Sequence, residues 1–257
     1  MGIISGKRIL VTGVLTDASL AYSIAELALK EGAEVVLSGA GRGLSLTQRM
    51  ARRLDPSIEV IEIDVSRPET AQSALTTLKD RWNSLDGLVH AIGYAPEACL
   101  GHGIMAADWS DVATAIEISA FSLKLLAKTF HPLLRESASP SIVGLDFDAA
   151  VAWPTYDWMG VTKAAFESLS RYLARDLGAD GIRVNLIAAG PIRTVAAKSI
   201  PKFERFEQAW AERAPLGWDV NDASLVARSV IALLSDWFPL TTGEIIHADG
   251  GFHAVGA

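Results

Sequence analysis

Seven short runs rich in valine, isoleucine and leucine recur along the chain, with stretches of helical spacing between them. That alternation restricts the fold more than any other feature. The runs are RILVTG (8–13), EVVLSG (34–39), IEVIEIDV (58–65), LDGLVHAIG (85–93), SIVGLDF (141–147), IRVNLIAAG (182–190) and EIIHADG (244–250). Nearly continuous apolar character means burial on both faces, which a parallel sheet between two helix layers provides. Between the runs, SLAYSIAELALKEG (19–32) and PETAQSALTTLKDRW (68–82) carry apolar residues at helical spacing. Alternating strands and helices predict an α/β fold, a doubly wound parallel sheet of seven strands with helices on both faces. No repeat, linker or low-complexity tract divides the 257 residues, so the expectation is a single domain over 1–257. Segment 194–221 fits the sheet least well and has some helical pattern, which predicts a substrate-binding lid.

Composition removes several classes of function. The net charge is −7 and no basic patch stands out, which speaks against a nucleic-acid partner. The lone cysteine, Cys99, allows no disulfide within the chain and fits a reducing compartment. Its surroundings, EACLGHG, give it no nucleophile setting. The start MGIISGKRILVTG runs into a strand without an apolar leader, and the apolar runs are short of a membrane span. The expectation is a cytoplasmic protein with no membrane partner. The five histidines, His90, His102, His131, His247 and His253, form no metal-ligand spacing, so no metal is expected. The seven tryptophans are expected in the core, the lid or a subunit contact.

The strand ends are where a doubly wound sheet binds ligands. The first run leads into TGVLTDASLA (12–21), with Gly13 closing the strand and Ser19 opening the helix. The full three-glycine dinucleotide fingerprint is missing. Its physical demands can still be met by Gly13 for close approach, the Ser19 cap and hydroxyl, and the helix N-terminus for phosphate. Asp64 suits the adenine amino group, or simply a strand-end turn. Gly93 allows a ribose to lie on the backbone, while Pro191 and Thr194 suit the nicotinamide amide and a phosphate. The second strand ends in SGAGR without the acid that pairs with an NAD ribose, and Arg42 would suit a 2′-phosphate. Local chemistry thus leaves NADH and NADPH both open on a Rossmann-type site.

The stretch YDWMGVTK (156–163) places a tyrosine and a lysine seven positions apart at a helix start, behind Pro154. Seven helical steps fall only about 20° short of two turns, so Tyr156 and Lys163 share a face. The pair can converge on one bound molecule, with the phenol donating to a developing oxyanion and the lysine gripping ribose hydroxyls. A nearby ammonium would lower the phenol pKa and strengthen it as a donor.

These features together resemble the short-chain dehydrogenase superfamily, and within it the enoyl-acyl-carrier-protein reductases. The likeness covers nearly the whole chain through GVLTDASLA (13–21), DV (64–65), HAIGYAP (90–96), the Tyr156–Lys163 spacing, AAGPIRT (188–194), ERAPLGW (212–218) and LLSDW…TTGEIIHADGG (233–251). SIVGLDFD followed by YDWM looks most like the mycobacterial branch. The resemblance implies that NAD(P)H, by preference NADH, reduces the trans-2 double bond of an enoyl thioester carried on acyl carrier protein or coenzyme A. It implies catalysis by Tyr156 and Lys163, with Gly13, Ser19, Leu20, Asp64, Val65, Ile92, Lys163, Ile192 and Thr194 at cofactor positions. Ala95, Phe147, Tyr156 and Met159 fall at substrate positions, and a homotetramer is implied. Two departures stand out: Ala40 replaces an aromatic that stacks on adenine, and the lid is shorter than in the mycobacterial long-chain enzyme. The second implies acyl chains of ordinary length.

Ordinary ketone and alcohol dehydrogenases of the superfamily separate tyrosine and lysine by three residues and end the fifth strand in serine. Here position 160 is Gly160 and the strand ends in Asp146 and Phe147. A single phenol without that serine suits an enolate better than an alkoxide. The rival readings are a ketone or alcohol dehydrogenase and a non-catalytic nucleotide-binding regulator.

Overall fold

The computed structural model describes residues 2–256. In chain order the elements are β1 (Arg8–Thr12), α1 (Leu20–Lys30), β2 (Glu34–Gly39), α2 (Gly41–Leu54), β3 (Val60–Glu62), α3 (Pro68–Arg81), β4 (Gly87–His90), α4 (Trp109–Ile116), α5 (Ser122–Leu134), β5 (Ser141–Asp146), α6 (Asp157–Leu177), β6 (Arg183–Ala189), α7 (Glu204–Arg213), α8 (Ser224–Leu234) and β7 (Ile245–Ala248). One π-helical turn, Glu117–Phe121, joins α4 directly to α5.

All seven strands lie in one sheet of order β3-β2-β1-β4-β5-β6-β7. Every neighbouring pair is parallel. The chain winds outward from β1 to β3, returns to β4 on the other side of β1, and then winds to β7. The direction reverses between β1 and β4, and a ligand crevice opens at such a point. Thr12 bridges it: its hydroxyl donates to Val89 O at 3.0 Å and accepts from Ala91 N at 3.0 Å.

Alternate residues of each strand feed two separate cores. Leu10, Leu88, Ile142 and Leu186 point to the side covered by α3, α5 and α6, where they meet Leu78, Phe130 and Phe166. Ile9, Val11, Val89, Val143 and Ile187 point to the opposite side, against Ile24 of α1 and Val230 of α8. Each fully buried aliphatic side chain contributes about 1.5–3 kcal/mol, which is why both faces of the strands read as apolar. The buried Arg183 guanidinium donates to Leu233 O at 2.8 Å and Ser235 O at 3.0 Å, satisfying carbonyls at the end of α8.

The expected strands all occur, most of them shorter than the apolar runs. The third run narrows from 58–65 to Val60–Glu62, and the fourth from 85–93 to Gly87–His90. In the third, Ile63 N still donates to Gly39 O at 3.0 Å, and Ile63 and Val65 remain buried in the core that α3 covers. In the fourth, the residues released beyond the ladder run on as a loop. Trp82 and Trp210 are buried, whereas Trp109 and Trp237 are exposed.

Candidate active site

The cofactor side begins at the turn after β1. Gly13 has φ +80°, and a Cβ there would overlap Ala91 O, so the turn admits only glycine. Ser19 caps α1: its hydroxyl accepts from Tyr22 N at 3.2 Å and donates to Thr16 O at 2.7 Å. The single hydroxyl proton is therefore spent inside the turn, and what Ser19 and Leu20 present outward is the helix N-terminus itself. Thr16 was not singled out in the sequence, yet its buried hydroxyl has no partner. A phosphate at the helix N-terminus would supply one.

The other expected positions follow the carboxyl ends of β3, β4 and β6. A Cβ at Gly93 would meet no protein atom within 4 Å, so nothing in the packing requires glycine there and the space beside it is open. Ile192 is buried, and Thr194 accepts from Ala197 N at 3.1 Å. The Thr194 hydroxyl proton has no acceptor among the described residues. Asp64 is differently occupied. Its Oδ1 accepts from Ser66 N at 3.0 Å and Ser66 Oγ at 2.6 Å, and Oδ2 lies 3.3 Å from Arg67 Nε. The Ser66 hydroxyl foremost holds its pKa below the usual carboxylate range. This is the strand-end turn, and only the remaining lone pairs are left for adenine. Val65 is buried beside it, and Ile92 packs against the α3–α5–α6 core. Arg42 is exposed and its guanidinium makes no ion pair among the described residues.

On the chemical side, Tyr156 sits at the N-cap of α6 and is buried. It is flanked by two residues in left-handed backbone, Thr155 at φ 63° and Asp157 at φ 39°. Each such position costs about 1–3 kcal/mol and persists only where the surroundings enforce it. Here Thr155 Oγ1 donates to Pro201 O at 2.8 Å, and Asp157 Oδ2 accepts from Gly103 N at 3.0 Å. Two loops thus hold the turn that aims the phenol. Tyr156, Met159 and Leu100 form one buried cluster, joined by Ala95, Phe147, Trp153 and Ile200. All four expected substrate-side residues therefore meet in one place. The Phe147 ring packs edge-on against Tyr156 at 5.1 Å. No hydrogen bond among the described residues engages the phenol oxygen.

Lys163 lies two turns along α6 and is buried. Its Nζ donates to Leu145 O at 2.9 Å and stands 3.7 Å from Asp146 Oδ1. Burial pulls its pKa down, and Asp146 opposes that fall. Burial, and then the charge of Asp146, push the Tyr156 phenol above its ordinary value. The expectation of a lowered phenol pKa is corrected accordingly: the lysine's charge is turned toward Asp146 and a carbonyl, and Tyr156 is a neutral hydrogen-bond donor.

Sequence reading missed the supports beneath this pair. The π-helical turn carries Ser119, whose hydroxyl accepts from Tyr94 N at 2.8 Å and donates to Tyr94 O at 2.7 Å, fixing the loop that bears Gly93 and Ala95. His90 is fully buried with Nε2 2.7 Å from Ser122 Oγ. Burial and then Lys163 pull its pKa down to about 3, so it is neutral. Nothing in the heptapeptide EISAFSL announces a π-turn. A polar residue ending an apolar strand, as His90 and Asp146 do, was a readable signal. The sequence also hid a pair: His247 and His253 stack at 3.7 Å. They gather no third ligand, and no group of three or more metal-binding side chains exists among the described residues.

A parallel sheet with its switch point between β1 and β4, a glycine turn into a helix, and a tyrosine and lysine on the helix that follows β5 define a dinucleotide-binding oxidoreductase of the short-chain dehydrogenase class. Comparison with known proteins narrows this. The profile of the family described as Enoyl-(Acyl carrier protein) reductase matches residues 13–253, and the chain belongs to that family. It is 44% identical to the enoyl-[acyl-carrier-protein] reductase [NADH] of Mycolicibacterium smegmatis, across 97% of each chain. It is 36% identical to the Aquifex aeolicus enzyme of that description, across 100% of this chain and 94% of the other. The Escherichia coli enzyme is also 36% identical, across 98% and 96%. The resemblance read from the motifs is borne out, with the mycobacterial relative sharing more identity than these two.

Proposed function

We propose that the protein reduces the trans-2 double bond of enoyl thioesters, with NADH as donor and acyl carrier protein as carrier, in fatty acid synthesis. The observation that carries this is the surface around Tyr156. Its hydroxyl is neutral and unengaged, and its ring neighbour Phe147, packed edge-on at 5.1 Å, carries no hydroxyl that could serve as a second donor. Bound NADH supplies the hydride for the β-carbon. Tyr156 donates a hydrogen bond to the thioester oxygen as negative charge develops there, in a water-poor pocket where such a bond is strong. Lys163 holds the nicotinamide ribose with the donors not given to Leu145 O. The α1 N-terminus with Ser19 and Leu20, the free Thr16 and Thr194 hydroxyls, and the open space at Gly93 fit the dinucleotide. Gly13, Asp64, Val65, Ile92 and Ile192 complete that wall, and Ala95, Phe147 and Met159 face the acyl group. The names of the relatives favour NADH, and Arg42 leaves NADPH as the second cofactor to assay.

The chain acts as one catalytic domain in which 194–221 serves as the lid. Phe206 and Trp210 of α7 pack with Phe252, Phe147 and Trp153 into a closed aromatic wall, which supports acyl chains of ordinary length. A homotetramer in the cytoplasm is the accompanying proposal. Large exposed side chains support it: Trp109, Phe121 and Tyr172 on α4 to α6, and Trp237 and Leu240 beyond α8. No helix among the described residues is long and apolar enough to cross a membrane.

The test follows NADH and NADPH oxidation with a trans-2-enoyl thioester beside a 3-oxo thioester. Turnover of the enoyl compound alone is expected. Tyr156→Phe should lower kcat by about 10²–10³-fold, the loss seen for a single oxyanion donor, with cofactor affinity nearly unchanged. Lys163→Ala should weaken cofactor binding itself. Preferential use of the 3-oxo compound would establish a ketone reductase, and cofactor binding without turnover a regulator.

A further inference from the structure

Asp146 is a buried acid for which the reaction, as derived above, has no use. Its side chain has no exposed surface, and neither carboxyl oxygen has a hydrogen-bond partner. Unpaired buried carboxylates are costly, and an unpaired buried charge is usually avoided by neutralisation. The one cation in reach is Lys163, at 3.7 Å, which is close enough for strong attraction and too far for a hydrogen bond. We propose that Asp146 is a positioning residue that acts through Lys163, keeping the lysine charged and aimed at the cofactor ribose. This rests on the reading that Lys163 binds the ribose.

The geometry supplies each step. Asp146 ends β5, pairs in register with Ala188 of β6, and faces α6 like Gly144 two residues before it. Lys163 reaches it across the strand end, with Leu145 O fixing one N–H at 2.9 Å. A lysine this buried favours its neutral form, and a neutral amine is a weak ribose donor. A carboxylate on the inner side reverses that preference while leaving the outward donors free. Because the two groups stop short of a hydrogen bond, Asp146 supplies charge without taking a donor from the ribose.

The other groups around the pair do not replace it. Glu167, one turn along α6, uses Oε1 to accept from Ala149 N at 2.9 Å and acts on both partners from farther away. Asp148 lies 3.8 Å from His247. His90 of β4 is neutral, and its Nε2 is engaged with Ser122 of α5. Tyr156 is an uncharged phenol, and β6 presents only Ala188 there. Burial, opposed by Lys163, holds Asp146 at about 7.

The test compares wild type, Asp146→Asn, Asp146→Ser and Lys163→Ala by NADH titration from pH 6 to 10. In wild type, affinity should fall on the alkaline side as Lys163 loses its proton. Removing an opposite charge about 4 Å away moves such a midpoint by about 1–3 in pH. The alkaline fall should therefore begin that much lower in D146N, or in D146S if only that variant keeps its thermal transition. The KM for NADH should rise more than kcat falls. In a Lys163→Arg background the same Asp146 substitutions should shift no alkaline midpoint, because a guanidinium stays charged without help. An alkaline limb that stays in place after Asp146 is replaced, with K163A still weakening NADH, would overturn the inference alone. NADH binding indifferent to K163A would instead remove the ribose reading, and the inference with it.

Discussion

The two ends of the crevice meet the same problem, holding polar chemistry in a dry place, with different materials. After β1 the proposed binding surface is mostly backbone: a glycine turn, a helix N-terminus, and a Ser19 hydroxyl tied into the local turn. Around α6 it is side chain: a phenol, an ammonium and a carboxylate, all buried and short of hydrogen bonds, under a wall of aromatic rings. Backbone donors are fixed by the fold and carry no pKa to disturb. The buried ionisable groups are tuned by burial, and each one changes its neighbours. The cofactor end should therefore respond to substitution through shape, and the chemical end through charge and packing.

The largest effect is expected at the aromatic wall. Trp210 is buried, donates to Asp249 O at 3.0 Å, and stacks on Phe252 with centroids 3.7 Å apart. Trp210→Ala removes the stack and leaves the carbonyl only the longer bond from Phe252 N at 3.4 Å, at a cost of about 3–5 kcal/mol. Thermal unfolding would read that loss. If the folded fraction then accepts longer enoyl thioesters than wild type, the wall sets chain length. An unchanged chain-length profile would place the acyl path elsewhere.

A smaller effect, confined to one end, is expected at Gly93. The residue is exposed and a new methyl group would touch no protein atom. Gly93→Ala should leave the melting temperature where it is and weaken NADH about tenfold, the equivalent of ~1.4 kcal/mol. Equal affinity in the variant would break the claim that the space there belongs to the cofactor.

How far the sequence disclosed this division depends on the kind of interaction. The seven strands and both cores follow from apolar periodicity, since Leu10 and Val11 had to face opposite helix layers, whereas the order of the strands came only from the folded chain. Gly13, Ser19, Tyr156 and Lys163 were legible because each answers a local geometric demand of a turn, a cap or a helix face. The supports were harder to read. Ser119 acts through a π-turn that no spacing announces, and Thr16 matters only because its hydroxyl lacks a partner once folded. The phenol pKa was misread for the same reason. The sequence places a lysine near Tyr156, but only the folded chain turns that lysine toward Asp146 and Leu145 O. Local rules are visible in one dimension, and the balance of burial against charge is not.

The smallest effect distinguishes what Ser19 does from where it stands. Its hydroxyl bridges Tyr22 N and Thr16 O, so its proton and one lone pair are committed to the cap. Ser19→Ala should cost about 1 kcal/mol of stability, as for other lost N-caps, and Ser19→Gly only a few tenths. The cofactor consequence should be slight, because the helix N–H groups that face a phosphate survive both substitutions. Thr16→Val, which deletes a hydroxyl with no partner in the protein, should do the reverse and weaken NADH more than it destabilises the fold. Measuring Kd and melting temperature for all three variants separates the roles. A large loss of affinity in Ser19→Ala with stability intact would mean that the hydroxyl leaves the cap for the phosphate, making this end depend on a side chain after all.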